Sequence, residues 1–159
     1  MVLQKLLFRS VFCITLFFCI CLVAASEVKA PKFQVKPVRL NSKNLNVWWA
    51  DTDKKRTFGM MFKTAWPEKP KKIEGMLFIF EGEKSRSFWM KNTPMSLDIG
   101  FFNAQGVLLE KDHLEGVRSI SQTKVDRVQS KKSARYVLEV PQGWFKKHQV
   151  ELGAKLKLL

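Results

Sequence analysis

The sequence predicts a mainly β domain, an antiparallel sandwich or barrel-like fold with two short helical elements. Three observations carry this. Apolar runs are short, mostly five or six residues, as in Leu45–Trp49, Met76–Phe80, Leu97–Phe102 and Tyr136–Val140. Turn chemistry separates them: Glu81-Gly82, Asn92-Thr93-Pro94 and Asn103-Ala104-Gln105-Gly106. Helical periodicity surfaces only twice, and briefly. The chain has 159 residues and a formal charge of +14, and 46% of it is hydrophobic. That size suits one domain. The apolar fraction excludes wholesale disorder, and the composition fits neither collagen nor a coiled coil.

The amino-terminal segment reads as a leader rather than as fold. Lys5 and Arg9 precede an uncharged run, Val11 to Val23, followed by Ala24, Ala25 and Ser26. The run is shorter than the ~20 residues of an ordinary membrane span. A basic start, a short apolar stretch and small residues form the pattern of a secretory signal peptide, residues 1–25, with cleavage after Ala25 or Ala30; a retained signal anchor is the alternative. An exported protein, periplasmic or secreted, is therefore expected. All three cysteines, Cys13, Cys19 and Cys21, fall inside the leader. A mature chain would rest on a hydrophobic core, with neither disulfides nor thiol chemistry. It would keep a charge of +12, because Lys5 and Arg9 leave and no acid does.

Residues 26–35 form a basic lead-in. From Lys29 to Lys43 there are five basic residues and no acid. Strands are predicted at Val35–Leu40 and Leu45–Trp49. Asp51 or Thr52 can cap a helix whose Phe58, Met61 and Phe62 fall at helical spacing. Gly59 weakens that helix by about 1 kcal/mol relative to alanine, so it marks a C-cap or a close backbone approach. Residues 63–74 read as a proline-containing loop. Met76–Phe80 reads as a strand buried on both faces, and Ser87–Met90 as a short strand. Leu97–Phe102 and Val107–Lys111 form a hairpin around the four-residue loop. Residues 117–135 carry six basic residues and one acid, and read as a long loop with little regular structure. Tyr136–Val140 is a strand stopped by Pro141. Trp144–His148 is one helical turn, and Ala154–Leu158 the last strand.

Phe58-Gly59-Met60-Met61-Phe62, Gly75-Met76-Leu77-Phe78, Phe88-Trp89-Met90-Lys91-Asn92-Thr93, Leu97-Asp98-Ile99 and Tyr136-Val137-Leu138-Glu139-Val140-Pro141 with Gly143 occur in that order. This pattern resembles the DUF192 (UPF0127) family of bacteria and archaea, over roughly residues 36–159. The resemblance implies a compact, mainly β domain, often exported, and implies no known activity. Two positions depart from the family pattern, which usually has leucine at Met60 and arginine at Lys63. A lysine lacks the planar two-pronged donor of arginine.

Candidate site residues follow from polar groups in apolar surroundings. Lys91, Asn92 and Thr93 end an apolar strand and, with Lys63, could line a pocket for an anion; alternatively they form a turn before Pro94. Asp98 and Glu139 each sit on the strand face opposite the apolar set. If those faces met, two carboxylates would converge for acid–base work; otherwise they are solvent-facing or structural. Met60, Met61 and Met90 carry soft thioethers that suit Cu(I), but among Phe and Trp they read as core filler. No metal and no cofactor is expected. His113 and His148 have no partner at metal spacing. No nucleophile elbow, phosphate loop or dinucleotide motif occurs.

The expected function is an exported, non-catalytic envelope module that binds an anionic ligand or surface, with loops 63–74 and 117–135 supplying positive charge. An enzyme using Asp98 and Glu139 on an envelope sugar or polymer is the alternative, and an interaction module the third. The partner would be an anionic ligand, a glycan or a membrane surface. Nucleic acid suits the charge but not the leader. A monomer is expected.

Overall fold

The computed structural model describes residues 29–119 and 121–159; the expected leader, residues 1–25, lies outside them. Among the described residues, nine strands and two short helices follow one another. They are β1 (Gln34–Leu40), β2 (Lys43–Ala50), α1 (Asp53–Phe58), β3 (Gly75–Lys84), β4 (Ser87–Trp89), β5 (Leu97–Phe102), β6 (Leu108–Leu114), β7 (Arg127–Gln129), β8 (Ala134–Pro141), α2 (Trp144–Lys147) and β9 (Leu156–Leu158). Seven strands form one curled sheet in the order β6-β5-β8-β3-β2-β1-β9, and β4 and β7 form a separate ribbon.

The sheet is mixed. Only β2 and β3 run parallel, with Val47 opposite Gly75 and Ala50 opposite Phe78. Parallel neighbours need a crossover, and residues 51–74 with α1 provide it. Curling brings the two edges together at one end. Val107, just before β6, bridges Lys155, and Leu156 donates its amide to Gly106 at 2.7 Å. The result is a half-barrel. Gly106 permits this approach: a Cβ there would collide with the Leu156 carbonyl, and its φ of +71° already favours glycine.

Both faces of the central strands are buried. Inside the half-barrel, Val38, Val47, Leu77, Leu138, Val140 and Phe102 pack with Trp144 and Phe145 of α2. On the outer face, Met76, Phe78, Ile99, Phe101 and Val137 pack beneath the β4–β7 ribbon and the segment after α1. Alternation therefore fails as a guide to burial in β8, where Val137 to Val140 are all buried. A strand covered on both faces reads as a continuous apolar run.

Two differences from the sequence reading have physical causes. α1 ends at Phe58, not at Phe62, because Gly59 adopts φ 47° and ψ −130°, outside the range of other residues, and closes the helix with its amide on Lys55 O. Thr52 is the N-cap, accepting from the Lys55 amide at 3.4 Å. The segment 117–135, expected to be a loop, contributes β7 and the start of β8. Its strand is three residues long with one inward side chain, Val128, too little for a periodic signal. Among the described residues no helix is long and apolar enough to cross a membrane.

Candidate functional site

The ribbon β4–β7 carries the most exposed chemistry. Phe88 lies opposite Val128, and both pack inward. Phe88 meets Phe78 edge-on, with centroids 4.9 Å apart, and so anchors the ribbon to β3. The alternation then turns Trp89 and its partner Arg127 outward. Trp89 is 43% exposed. Lys91 Nζ stands 5.3 Å, and the Arg127 guanidinium 5.6 Å, from its ring centroid. The three line an open depression of about 360 Å³, with Ser121, Gln122 and Thr123 beside them. No acidic side chain lines it among the described residues.

The other expected pocket residues lie elsewhere. Lys63 sits 4.3 Å from the Trp48 ring and 5.5 Å from that of Phe33. Burial in this aromatic nook lowers its pKa. Asn92 occupies a left-handed turn with φ 55°, and its carbonyl accepts the Phe62 amide at 2.7 Å. Thr93 is buried, donating its hydroxyl to Lys91 O at 3.3 Å and accepting from the Val117 amide at 2.9 Å through its own carbonyl. Turn chemistry thus accounts for Asn92 and Thr93. The four residues do not share one pocket.

The register separates the two candidate carboxylates. On β5 and β8, Asp98 faces Val140, and Ile99 faces Glu139. Opposed residues share a face, and neighbours along a strand do not. Asp98 therefore points to the half-barrel side and Glu139 to the outer one. The conditional acid–base pair does not form.

Asp98 instead joins a hydrogen-bonded chain at the edge of the sheet. Its Oδ1 lies 3.4 Å from His113 Nδ1, and its Oδ2 accepts from the Phe145 amide at 3.4 Å. His113 Nε2 lies 2.7 Å from Glu115 Oε1, and Ser96 donates to Glu115 Oε2 at 2.9 Å. The bond to Glu115, with a further contribution from Asp98, raises the pKa of His113. His148, by contrast, has its pKa lowered by burial and by the charges of Lys43 and Lys147.

Among the described residues Glu139 is neither solvent-facing nor ion-paired. It is 5% exposed, and its Oε2 has no hydrogen-bond partner. Burial alone pushes its pKa up to about 8, so the carboxyl is mostly protonated at neutral pH. It borders a cavity of about 30 Å³ shared with Met60, Met61, Met90, Thr93 and Trp89. A second cleft, about 310 Å³, lies by α2 between Trp66 and Trp144 and mixes Lys43, Lys72 and Lys147 with Glu68 and Glu74.

The profile of the DUF192 family, described as an uncharacterized ACR, matches residues 36–158. The chain belongs to this family. Two solved structures share the architecture. One, from Sinorhizobium meliloti 1021 and described provisionally as a transcription regulator, is 25% identical with a TM-score of 0.68, covering 82% of this chain and 98% of that one. Another, of unknown function, comes from Novosphingobium aromaticivorans DSM 12444; it is 21% identical with a TM-score of 0.64, covering 82% and 95%. No curated protein sequence is similar enough to count as a relative. Within this DUF192 domain, Trp89, Lys91 and Thr93 belong to the motif that carried the resemblance. Arg127 does not, and nothing in the sequence marks it, because three-residue β7 carries no periodic signal.

Proposed function

We propose that this DUF192 protein is an exported, non-catalytic module that captures an anionic saccharide on the outer face of the β4–β7 ribbon. One observation carries the reading: an exposed indole, Trp89, flanked by Lys91 and Arg127 in a depression without acids. A sugar ring stacks its C–H face on an indole, and the two cations meet its sulfate, phosphate or carboxylate groups. Ser121, Gln122 and Thr123 add neutral hydrogen-bonding groups. The charge of +12 left once residues 1–25 are removed favours encounter with polyanions. The export signal read from residues 1–25 directs the protein to where such saccharides occur. The carboxylate-pair enzyme loses its support, because Asp98 and Glu139 occupy opposite faces of the sheet.

Native mass spectrometry of the protein purified from its own cells at low salt tests this. A reproducible extra mass that fragments as an acidic sugar supports the reading. A bare chain, or an adduct that fragments as nucleotides, contradicts it.

A further inference from the structure

Behind the same ribbon, the small cavity bordered by Glu139 has a different character. We propose that it is a site for one soft monovalent cation of the Cu(I) class, held by the thioethers of Met60, Met61 and Met90 and by the Glu139 carboxylate. The inference is independent of saccharide binding on the outer face.

Four observations carry it. The space is about 30 Å³, enough for one ion or water and for nothing larger. Its donors are soft: three methionines line it, and neither histidine nor cysteine does. Thioethers of this kind suit Cu(I), whereas zinc wants thiolate or imidazole and calcium or magnesium wants many oxygens. Among the described residues no group of three His, Cys, Asp or Glu could hold a harder metal. Glu139 Oε2 is buried without a partner among the described residues, and an unpaired buried polar atom is costly unless something satisfies it. On binding, the ion would displace the carboxyl proton to solvent, so that a single positive charge meets a single carboxylate; a divalent ion would leave a net charge in apolar surroundings.

The walls agree with a cation. Phe78, Phe88 and Trp89 border the cavity, and aromatic faces attract positive charge. Arg56 also borders it, but its guanidinium is committed to Ile79 O at 2.6 Å and to Asp53 at 2.7 Å. Glu139 therefore has no competing cation there. Met60 and Met90 are buried and Met61 half-buried, so the set includes one donor nearer the surface by which an ion could enter.

The test uses the full chain with Cys13, Cys19 and Cys21 replaced by serine, so that thiols do not compete. Cu(I) is titrated anaerobically against a colorimetric Cu(I) chelator, and Ag(I), which has no redox chemistry here, is followed by native mass spectrometry. One equivalent of each should be retained. Met60→Leu with Met90→Leu should weaken retention at least tenfold, and Glu139→Gln should do so as well. Met61→Leu alters only a half-buried position and should also weaken it if the double variant fails to fold; Met95→Leu should change nothing. The proposal is overturned if no equivalent is retained, meaning that the cavity holds water only. It is equally overturned if retention survives these changes and is lost in His113→Gln or His148→Gln.

Discussion

Asp98 and Glu139 sit on adjacent strands one step out of register, and their side chains leave opposite faces of the same sheet. That single parity decides their chemistry. Asp98 meets His113 and the Phe145 amide near solvent. Glu139 enters the outer core with one oxygen unpaired.

The first prediction concerns Glu139. A carboxyl normally near 4.5 is pushed up to about 8 by burial. Between those values the folded state holds more protons than the unfolded one, so stability falls as pH rises. It is greatest below about pH 4.5 for this group, and the loss is complete above about pH 8. For a fully buried carboxyl the total is on the order of a few kcal/mol. Arg56, the charged neighbour in the cavity, keeps its partners throughout. Glu139→Gln should therefore match the parent at pH 5 and exceed it in urea midpoint at pH 8. Parallel profiles for the two proteins would contradict this account.

The two histidines should titrate in opposite directions. NMR should place His113 above the usual imidazole value of about 6.5, because Glu115 and Asp98 hold its charged form, and His148 below it. Stability from the charged His113 is present below its unfolded pKa and lost as pH rises through the folded one. Glu115→Gln should lower the His113 value and leave His148 unmoved. Equal values for the two rings would refute the assignment.

Gly106 and Gly143 separate two roles of glycine. Both have positive φ, +71° and +77°. A Cβ at Gly106 collides with the Leu156 carbonyl, whereas nothing lies within 4 Å of one at Gly143. Gly143→Ala should cost about 1 kcal/mol of backbone strain. Gly106→Ala should cost at least about 3 kcal/mol, since it also separates β9 from the β5–β6 hairpin. Equal losses by denaturant unfolding would mean that closure of the half-barrel contributes little.

Much of this was legible in the sequence. Leu97–Phe102 forms a strand with the expected bounds, and Met76–Phe80 lies within a strand whose apolar half is covered on both faces, because continuous apolar runs specify burial without reference to partners. The parallel β2–β3 pair was not, since strand direction depends on the crossover rather than on either strand. Glu139 stands out in the sequence as a carboxylate in an apolar strand, but its surroundings are not legible there: the alternation of Tyr136, Leu138 and Val140 marks one apolar face, and β8 is buried on both sides. Lys91 stands out in the sequence by its charge. Arg127, the cross-strand partner of Trp89, lies in a segment whose pattern reads as loop, so the pair of cations around Trp89 emerges only with the register of β4 and β7.

The saccharide reading is tested most directly by calorimetric titration of a heparin-derived hexasaccharide into the protein at 50 mM salt. Controls are an uncharged hexasaccharide and a DNA duplex of similar charge. The account predicts saturable binding of the acidic sugar and none of the neutral one. Trp89→Ala, and Lys91→Ala with Arg127→Ala, should each weaken it at least tenfold, about 1.4 kcal/mol. Trp89 and the two cations are exposed or half-exposed, so these changes should leave the unfolding midpoint nearly unmoved. Binding that the variants leave intact, or that the DNA duplex matches, would contradict the account.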